Sequence, residues 1–156
     1  ETDKSTMDVE SEFAGTVPVR HLLPYWKTSN RYLFSGGSVN MRDAAVYAKE
    51  ENWSKAVELW KQTYETKKGK QKMYAAYNTA LGYEMQDSID TALEWALKAQ
   101  TLAREKSKTD KKETGEIHNG TISYYIFISM YVDELEKRKE GMARLNMQMN
   151  RFDDDF

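Results

Sequence analysis

The amino-acid sequence predicts an all-α protein, in which antiparallel helical hairpins are stacked and a short non-helical region precedes them. Three observations support this fold class. Both prolines, Pro18 and Pro24, lie before residue 25, so the chain from Asn40 onward is free to be helical. Small and large apolar residues alternate at helical spacing in residues 76–100, AYNTALGYEMQDSIDTALEWALKAQ. Much of that segment also repeats an earlier one, as expected of stacked hairpins.

The N-terminal region has a different composition from the rest of the chain. Glu1 to Phe13 is polar and charged, which predicts a flexible arm or the remainder of a linker. Residues 16–34, TVPVRHLLPYWKTSNRYLF, contain both prolines with β-branched and aromatic residues, which favour extended segments. Their large apolar residues are too many for a free arm, so we expect VPVRHLLPYW and RYLF to dock on the first hairpin or to pair with another segment. SGGS at 35–38 ends the region.

An internal repeat organises the middle of the chain. Met41–Glu65 aligns with Tyr77–Thr101 at a shift of 36 positions. In each copy a short polar break separates two amphipathic stretches, and the break supplies a good N-cap residue, Asn52 or Ser88. Asn40 is expected to cap the first helix of all. The matching pairs are Ala44 with Ala80, Tyr47 with Tyr83, Glu51 with Asp87, Ala56 with Ala92 and Glu58 with Glu94.

The alternation of small and large residues predicts how the helices pack. A bulky side chain at Ala56 or Ala92, near the start of the second helix of each copy, would push the paired helices apart. Ala80 and Gly82 act in the same way on a first helix. Large side chains then fill the space between the hairpins: Tyr47, Trp53, Trp60 and Tyr83.

The remainder of the chain is expected to continue the stack. A charged linker at 104–115, REKSKTDKKETG, leads to a third helical segment, Ile122–Lys139, and then to a last short helix at about 141–152. We therefore divide the chain into two parts. Residues 1–38 form an N-terminal arm and extended region, which we expect to be the end of a larger upstream module, and residues 39–152 form the helical repeat domain.

The repeat resembles the tetratricopeptide repeat. That motif has a small residue and an aromatic residue three apart on its first helix, and an alanine, a bulky residue and a second alanine on its second helix. This resemblance implies a TPR-like superhelix whose first helices line a concave face. The first copy supplies Ala44, Tyr47, Ala56, Trp60 and Thr63, and the second supplies Ala80, Tyr83, Ala92, Ala96 and Ala99.

The chain as a whole also resembles an uncharacterised group of bacterial envelope proteins with such repeats, many of them lipoproteins. The similar segments are LPYWKTSNRYLF, WSKAVELW, YNTALGYE, ALEWALKA and RLNMQM. The resemblance implies an extracytoplasmic location and no established activity. The chain begins at Glu1 without an apolar targeting run, so we expect a processed or shortened form whose lipid anchor, if present, lies upstream. No stretch approaches the ~20 apolar residues of a transmembrane segment.

Composition and motifs argue against several functions. The chain has no cysteine, which excludes disulfides, thiolate zinc sites and cysteine nucleophiles. Its net charge of −2 gives no reason to expect a nucleic-acid partner. His21 and His118 stand in no metal-binding motif, and the sequence contains neither GxSxG nor a phosphate-binding loop. We therefore expect no metal, no cofactor and no catalysis.

A candidate binding site lies on the first helices of the two copies. Aromatic, amide and cationic groups there suit an extended peptide, since the polar groups can bond its backbone while rings cover its side chains. Arg42 and Asn78 occupy equivalent positions, and neither has a reason to be buried. The tyrosines have an alternative role in helix packing. The candidate peptide-binding residues are Arg42, Lys49, Tyr74, Tyr77 and Asn78.

These observations favour a protein- or peptide-binding scaffold in a bacterial envelope assembly. The alternative is an accessory domain that braces a larger enzyme or transport system. The lysines between the hairpins are a further candidate surface for an anionic partner, although loop lysines are usually only solvated. They are Lys67, Lys68, Lys70 and Lys72, with Lys106, Lys108, Lys111 and Lys112 in the next linker.

Overall fold

The computed structural model describes residues 2–8, 25–114 and 123–154. Two compact units are present: one comprises Leu33–Leu135, and the other comprises Glu1–Tyr32 together with Glu136–Phe156. This division differs at two places from the one inferred from the sequence, 1–38 and 39–152. Residues 33–38 belong with the helices that follow them, and the residues from Glu136 onward, which were assigned to the repeat domain, belong to the other unit. The predicted all-α helical stack is confirmed.

The unit Leu33–Leu135 is built from successive antiparallel helices. Helices α1 (Val39–Lys49) and α2 (Trp53–Thr66) form the first hairpin, and α3 (Lys70–Met85) and α4 (Ile89–Thr114) form the second. Each of these helices packs against the next one in sequence. Helix α5 (Tyr124–Asp154) follows, and its residues up to Leu135 complete this unit.

The internal repeat is visible in the backbone of both hairpins. Glu51 and Asp87, which are equivalent at the shift of 36, both have a φ of 60° in the turn between their helices. The following residue donates its N–H to the carbonyl of Tyr47 in the first hairpin, at 2.8 Å, and of Tyr83 in the second, at 2.9 Å. Since the two turns have the same geometry, the predicted repetition of a helical hairpin is confirmed.

The N-cap predictions are confirmed at one break and wrong at the first helix. The Asn52 side chain accepts the N–H of Lys55 at the start of α2. Ser88 precedes α4, and its carbonyl accepts the N–H of Ala92. Ser38, rather than Asn40, caps α1, because its hydroxyl accepts the N–H of Met41 and places Asn40 inside the helix.

Small residues occur where the helices approach each other, as predicted. Ala44, Ala56, Ala80 and Ala92 are fully buried. A Cβ atom on Gly82 would clash with the side chain of Val57 and lie 3.2 Å from the Trp60 ring, so this glycine allows the two hairpins to approach each other.

Two predictions about the later part of the chain are wrong. The charged segment 104–115 is not a linker up to residue 114, because α4 continues to Thr114. It contains no proline or glycine before Gly115, and lysine, arginine and glutamate are good helix formers. The third and fourth helical segments are one helix, α5, since a single internal glycine, Gly141, costs about 1 kcal/mol and does not by itself end a helix.

The other unit contains a two-stranded antiparallel sheet. Strand β1 (Thr2–Asp8) pairs with β2 (Tyr25–Arg31), with Thr2 opposite Arg31 and Asp8 opposite Tyr25. The extended conformation predicted before the helices is confirmed for β2. The flexible arm predicted for Glu1–Phe13 is wrong for residues 2–8, because these pair along their whole length. His21, His118 and the stretch 9–24 lie outside the described residues.

Candidate peptide-binding site

Helix α3 is the most enclosed helix of the stack. It is covered by α2, by α4 and by residues near the start of α5, so burial continues around most of its surface. Apolar residues are accordingly distributed around the helix and are not confined to one side of it. The buried residues of α3 are Met73, Ala75, Ala76, Tyr77, Asn78, Thr79, Ala80, Leu81, Gly82 and Glu84.

The side chain of Phe34 lies in an aromatic pocket against this helix. Its ring stacks on Tyr74 with centroids 4.2 Å apart, and meets Tyr77 edge to face at 5.1 Å. Tyr124 and Phe127 of α5 approach it edge to face at 6.1 and 6.0 Å. Such arrangements are worth ~0.5–1.5 kcal/mol a pair beyond the burial of apolar area. The four rings therefore make this pocket well suited to an aromatic side chain.

Asn78 holds the backbone of the same residue. Its side-chain amide nitrogen donates to the Phe34 carbonyl at 2.6 Å, and its side-chain oxygen accepts the Phe34 N–H at 3.0 Å. A primary amide can do both at once because it carries a donor and an acceptor side by side. Asn78 thus pairs with Phe34 as a neighbouring β-strand would, although Phe34 belongs to no sheet with it.

The loop after Phe34 is anchored at its other end. The Ser38 N–H donates to the side-chain oxygen of Gln71 at 3.4 Å. Gly37 has a φ of +116°, and a Cβ atom there would clash with the Gln71 side chain. Glycine is required at this position both by the backbone conformation and by the close approach to α3. Residues 34–38 are therefore held at two points along one helix.

A pair of tyrosine hydroxyls closes the rim of the pocket. The hydroxyls of Tyr74 and Tyr124 are 2.7 Å apart and share a hydrogen bond. Burial, with contributions from this bond and from the Tyr124 charge, raises the pKa of Tyr74 to about 12. The ammonium group of Lys70 lies 5.7 Å from the centre of the Tyr124 ring. The Tyr74 phenol is consequently neutral at physiological pH.

The structure brings together three of the five candidate residues. Tyr74, Tyr77 and Asn78 all contact Phe34, whereas Arg42 and Lys49 are exposed on α1 and are not among the residues that hold it. The expectation that Asn78 is exposed is wrong, since it is fully buried. Its burial is tolerated because both ends of its amide are satisfied by the backbone of Phe34.

Sequence reasoning did not identify Phe34 as the residue in the pocket, nor Tyr124 and Phe127 as two of the four rings that form it. Docking of RYLF on the helices was expected and is confirmed for Leu33 and Phe34, but the contact of Phe34 with α3 was not. Tyr124 and Phe127 were identified only as part of a helix. A usable signal was present, since an aromatic residue directly before SGGS and the cluster YYIF at 124–127 are both more aromatic than a solvated segment requires.

A second buried polar side chain of α3 is that of Glu84. The carboxylate of Glu84 is fully buried and accepts the hydroxyl of Tyr131 at 3.1 Å. Within residues 2–8, 25–114 and 123–154, no three histidine or acidic side chains are grouped so that they could hold a metal ion. None of the helices in these ranges has a run of residues long and apolar enough to cross a membrane.

Comparison with known proteins identifies a family but no activity. Neither the curated proteins nor the solved structures include a match to this chain. A family model does match, and its description is a domain of unknown function, DUF6340. The match covers residues 42–137, from α1 into α5, and therefore includes Tyr74, Tyr77, Asn78, Tyr124 and Phe127 but not Phe34. Since this is more than half of the chain, the protein belongs to the DUF6340 family.

Proposed function

We propose that this protein is a TPR-like scaffold that binds proteins or peptides, and that its recognition element is the aromatic pocket on α3. The observation that carries the proposal is the pairing of Asn78 with both backbone groups of one residue. Recognition of this kind is independent of the side chain and requires an extended backbone. The pocket then adds a preference for an aromatic side chain, as the four rings around Phe34 indicate.

The proposed ligand is thus a short extended segment with a central phenylalanine or a similar aromatic residue. Its residue in the pocket would replace Phe34, and the loop 34–38 would move out with its glycines as the flexible part. Arg42 and Lys49, exposed on α1, would favour a ligand with acidic residues near its aromatic one. No catalytic step and no cofactor are part of this proposal.

A second candidate function is favoured by one observation, namely that the occupant of the pocket is the chain's own residue. Phe34 follows strand β2 by three positions in the sequence, and Asn78 of α3 holds its backbone. This is what an accessory domain that braces a neighbouring module would do. In that case the pocket serves as a permanent joint, and Phe34 does not exchange with a partner.

An experiment with a peptide supplied in trans separates the two candidates. The variant Phe34→Ala empties the aromatic pocket, and the probe is a peptide of residues 30–38, NRYLFSGGS. The matched control peptide has alanine in place of the phenylalanine. A recognition site should bind the probe with a dissociation constant in the micromolar range, on the order of −8 kcal/mol at best, and should bind the control at least tenfold more weakly.

Two further proteins complete this experiment. Asn78→Ala combined with Phe34→Ala should lose the probe, and circular dichroism must show that both variants remain helical. The parent should bind the probe more weakly than Phe34→Ala, because its own Phe34 competes. If folded Phe34→Ala does not bind the probe at millimolar concentration, the pocket is a joint and the bracing function is favoured.

We further propose that the protein acts in the bacterial cell envelope, with a lipid anchor upstream of Glu1. This proposal is supported by the resemblance of segments such as LPYWKTSNRYLF and RLNMQM to envelope lipoproteins. Fractionation of cells that express the natural gene should recover the protein with the membrane pellet, and detergent should release it. Recovery in the soluble cytoplasmic fraction would contradict the proposed location.

A further inference from the structure

Helix α5 carries one apolar stripe along its whole length. The residues that form it are spaced alternately by three and four positions, which places them on one side of the helix as in the seam of a coiled coil. One member is charged, Arg138. The stripe consists of Ile128, Tyr131, Leu135, Arg138, Met142, Leu145, Met149 and Phe152.

The two halves of this stripe differ in exposure. Ile128, Tyr131 and Leu135 are buried in the core that they share with α3 and α4. Beyond Arg138, Met142 is 38% exposed, Met149 52% and Phe152 61%, and Leu145 is half-buried. An apolar stripe that continues in phase from a packed segment to an exposed one indicates a face that is completed by another molecule.

The charged residues that flank the exposed half of the stripe differ in sign between its two ends. At the beginning, Arg138 lies in the stripe and Lys139 flanks it; at the end, Asp153 flanks it. Between them the residues that flank the stripe are uncharged, namely Gly141, Asn146 and Gln148. The charged residues Glu140, Arg144 and Arg151 lie on the other side of the helix. Arg138 and Lys139 already interact within the chain, so the charges define a direction along the helix and are not unsatisfied groups.

We propose that the protein associates with a second copy of itself through this face, with the two α5 helices antiparallel. An antiparallel pair places the cationic beginning of each stripe at the acidic end of the other. A parallel pair would instead bring Arg138 and Lys139 of both copies together, and likewise their aspartates. The charge pattern thus selects both a second copy as the occupant and its orientation.

The dimensions of the helix agree with this arrangement. Arg138 and Asp154 are 16 positions apart, or about 24 Å at 1.5 Å per residue. The midpoint of these two charged ends falls at Asn146. The apolar residues are centred one position later, at residue 147, with Met142 and Leu145 before it and Met149 and Phe152 after it. The two-fold axis would pass close to Asn146, and the four apolar residues of each copy would cover one another.

Sedimentation velocity tests the association with a matched pair of variants. Met149→Glu places a charge in the stripe, while Met147→Glu places the same charge at a residue that is 57% exposed and lies on the other side of the helix. The parent should show a concentration-dependent dimer. Met149→Glu should raise its dissociation constant roughly ten- to hundredfold, and Met147→Glu should change it little. A parent that stays monomeric at millimolar concentration would overturn the proposal.

Cysteine cross-linking tests the orientation, because the chain has no cysteine of its own. In an antiparallel pair, Asn146→Cys lies at the axis and should form a disulfide with itself on mild oxidation. Lys139→Cys alone and Asp153→Cys alone should not, but a mixture of these two variants should form a mixed disulfide. If each single variant cross-links with itself and the mixture gives no excess of the mixed product, the antiparallel arrangement is wrong.

Discussion

The two hairpins have the same backbone plan but very different surroundings. In the first helix of the first hairpin, α1, the buried residues are Met41, Ala44 and Ala48, whereas the corresponding helix α3 is buried on most of its surface. Position 42 holds an exposed arginine and its equivalent, position 78, a buried asparagine. Val46 is 57% exposed, while its equivalent Gly82 is enclosed. The repeat thus determines the turn and the helix spacing, and the place of each hairpin in the stack determines which residues form a site.

The largest effect of this difference is expected at positions 42 and 78. Asn78→Ala leaves the Phe34 N–H and carbonyl without their partner in a partly buried region, which should cost about 1–3 kcal/mol of the free energy of unfolding. Arg42→Ala should change it by less than about 0.5 kcal/mol. Urea unfolding followed by circular dichroism measures both, and similar values for the two variants would contradict the contrast.

A second prediction concerns what the hairpins share. Ala56 and Ala92 are fully buried at equivalent positions near the start of α2 and α4. Ala56→Leu and Ala92→Leu should each overpack a helix pair and cost about 1–3 kcal/mol. Lys55→Leu, at an exposed neighbouring position, is the control and should cost little. Thermal melts in which all three variants match the parent would show that these alanines are not required by the packing.

A smaller effect is expected at positions 46 and 82. Gly82→Ala adds a methyl group that must displace the side chain of Val57, although alanine favours the helix by about 1 kcal/mol over glycine. The net loss should be about 0.5–2 kcal/mol, again from urea unfolding. Val46→Ala in the first hairpin should be neutral or slightly stabilising, since alanine is the better helix former. A Gly82→Ala protein more stable than the parent would show that the contact between the hairpins yields easily.

The smallest effect concerns pH. The pKa of Tyr74 is about 12 in the folded protein and about 10 in an unfolded chain. A raised pKa stabilises the fold fully below pH 10, and this contribution is lost as pH rises from about 10 to 12. Tyr74→Phe should therefore lose less stability than the parent in this range. Tyr125, whose pKa is lowered by its hydrogen bond with Arg104, is present in both proteins. Identical pH profiles from thermal melts would be evidence against the effect.

Features of the fold that depend on nearby residues could be predicted from the sequence. The shift of 36, the polar breaks and the Asn52 cap are local, and each is found in the structure. The roles of Ala56, Ala92 and Gly82 were also predicted, because a small residue among large ones on a helix indicates a place where another helix approaches closely. The length of α4 was missed since its charged end was interpreted by polarity rather than by helix propensity.

The candidate site could be predicted only in part. The sequence analysis correctly expected Asn78 to bond a peptide backbone and the rings of Tyr74 and Tyr77 to contact a side chain. It was wrong in expecting these residues to face solvent. The residues that enclose them are 40 or more positions away in the chain, Phe34 on one side and Tyr124 on the other. Such contacts depend on how the hairpins stack, and no local pattern contains that information. For the same reason the sequence did not identify residues 2–8 as the segment that pairs with β2.

The central claim is that Asn78 holds the backbone of Phe34 as a bound peptide would be held. Hydrogen exchange of the Phe34 amide, followed by NMR, tests it most directly, because this N–H lies in a loop and its acceptor is the Asn78 side chain. The claim predicts exchange at least a hundredfold slower than in an unfolded chain, and a return towards the unfolded rate in Asn78→Ala while the amides of α3 stay protected. Exchange of the Phe34 amide at the unfolded rate in the parent protein would contradict it.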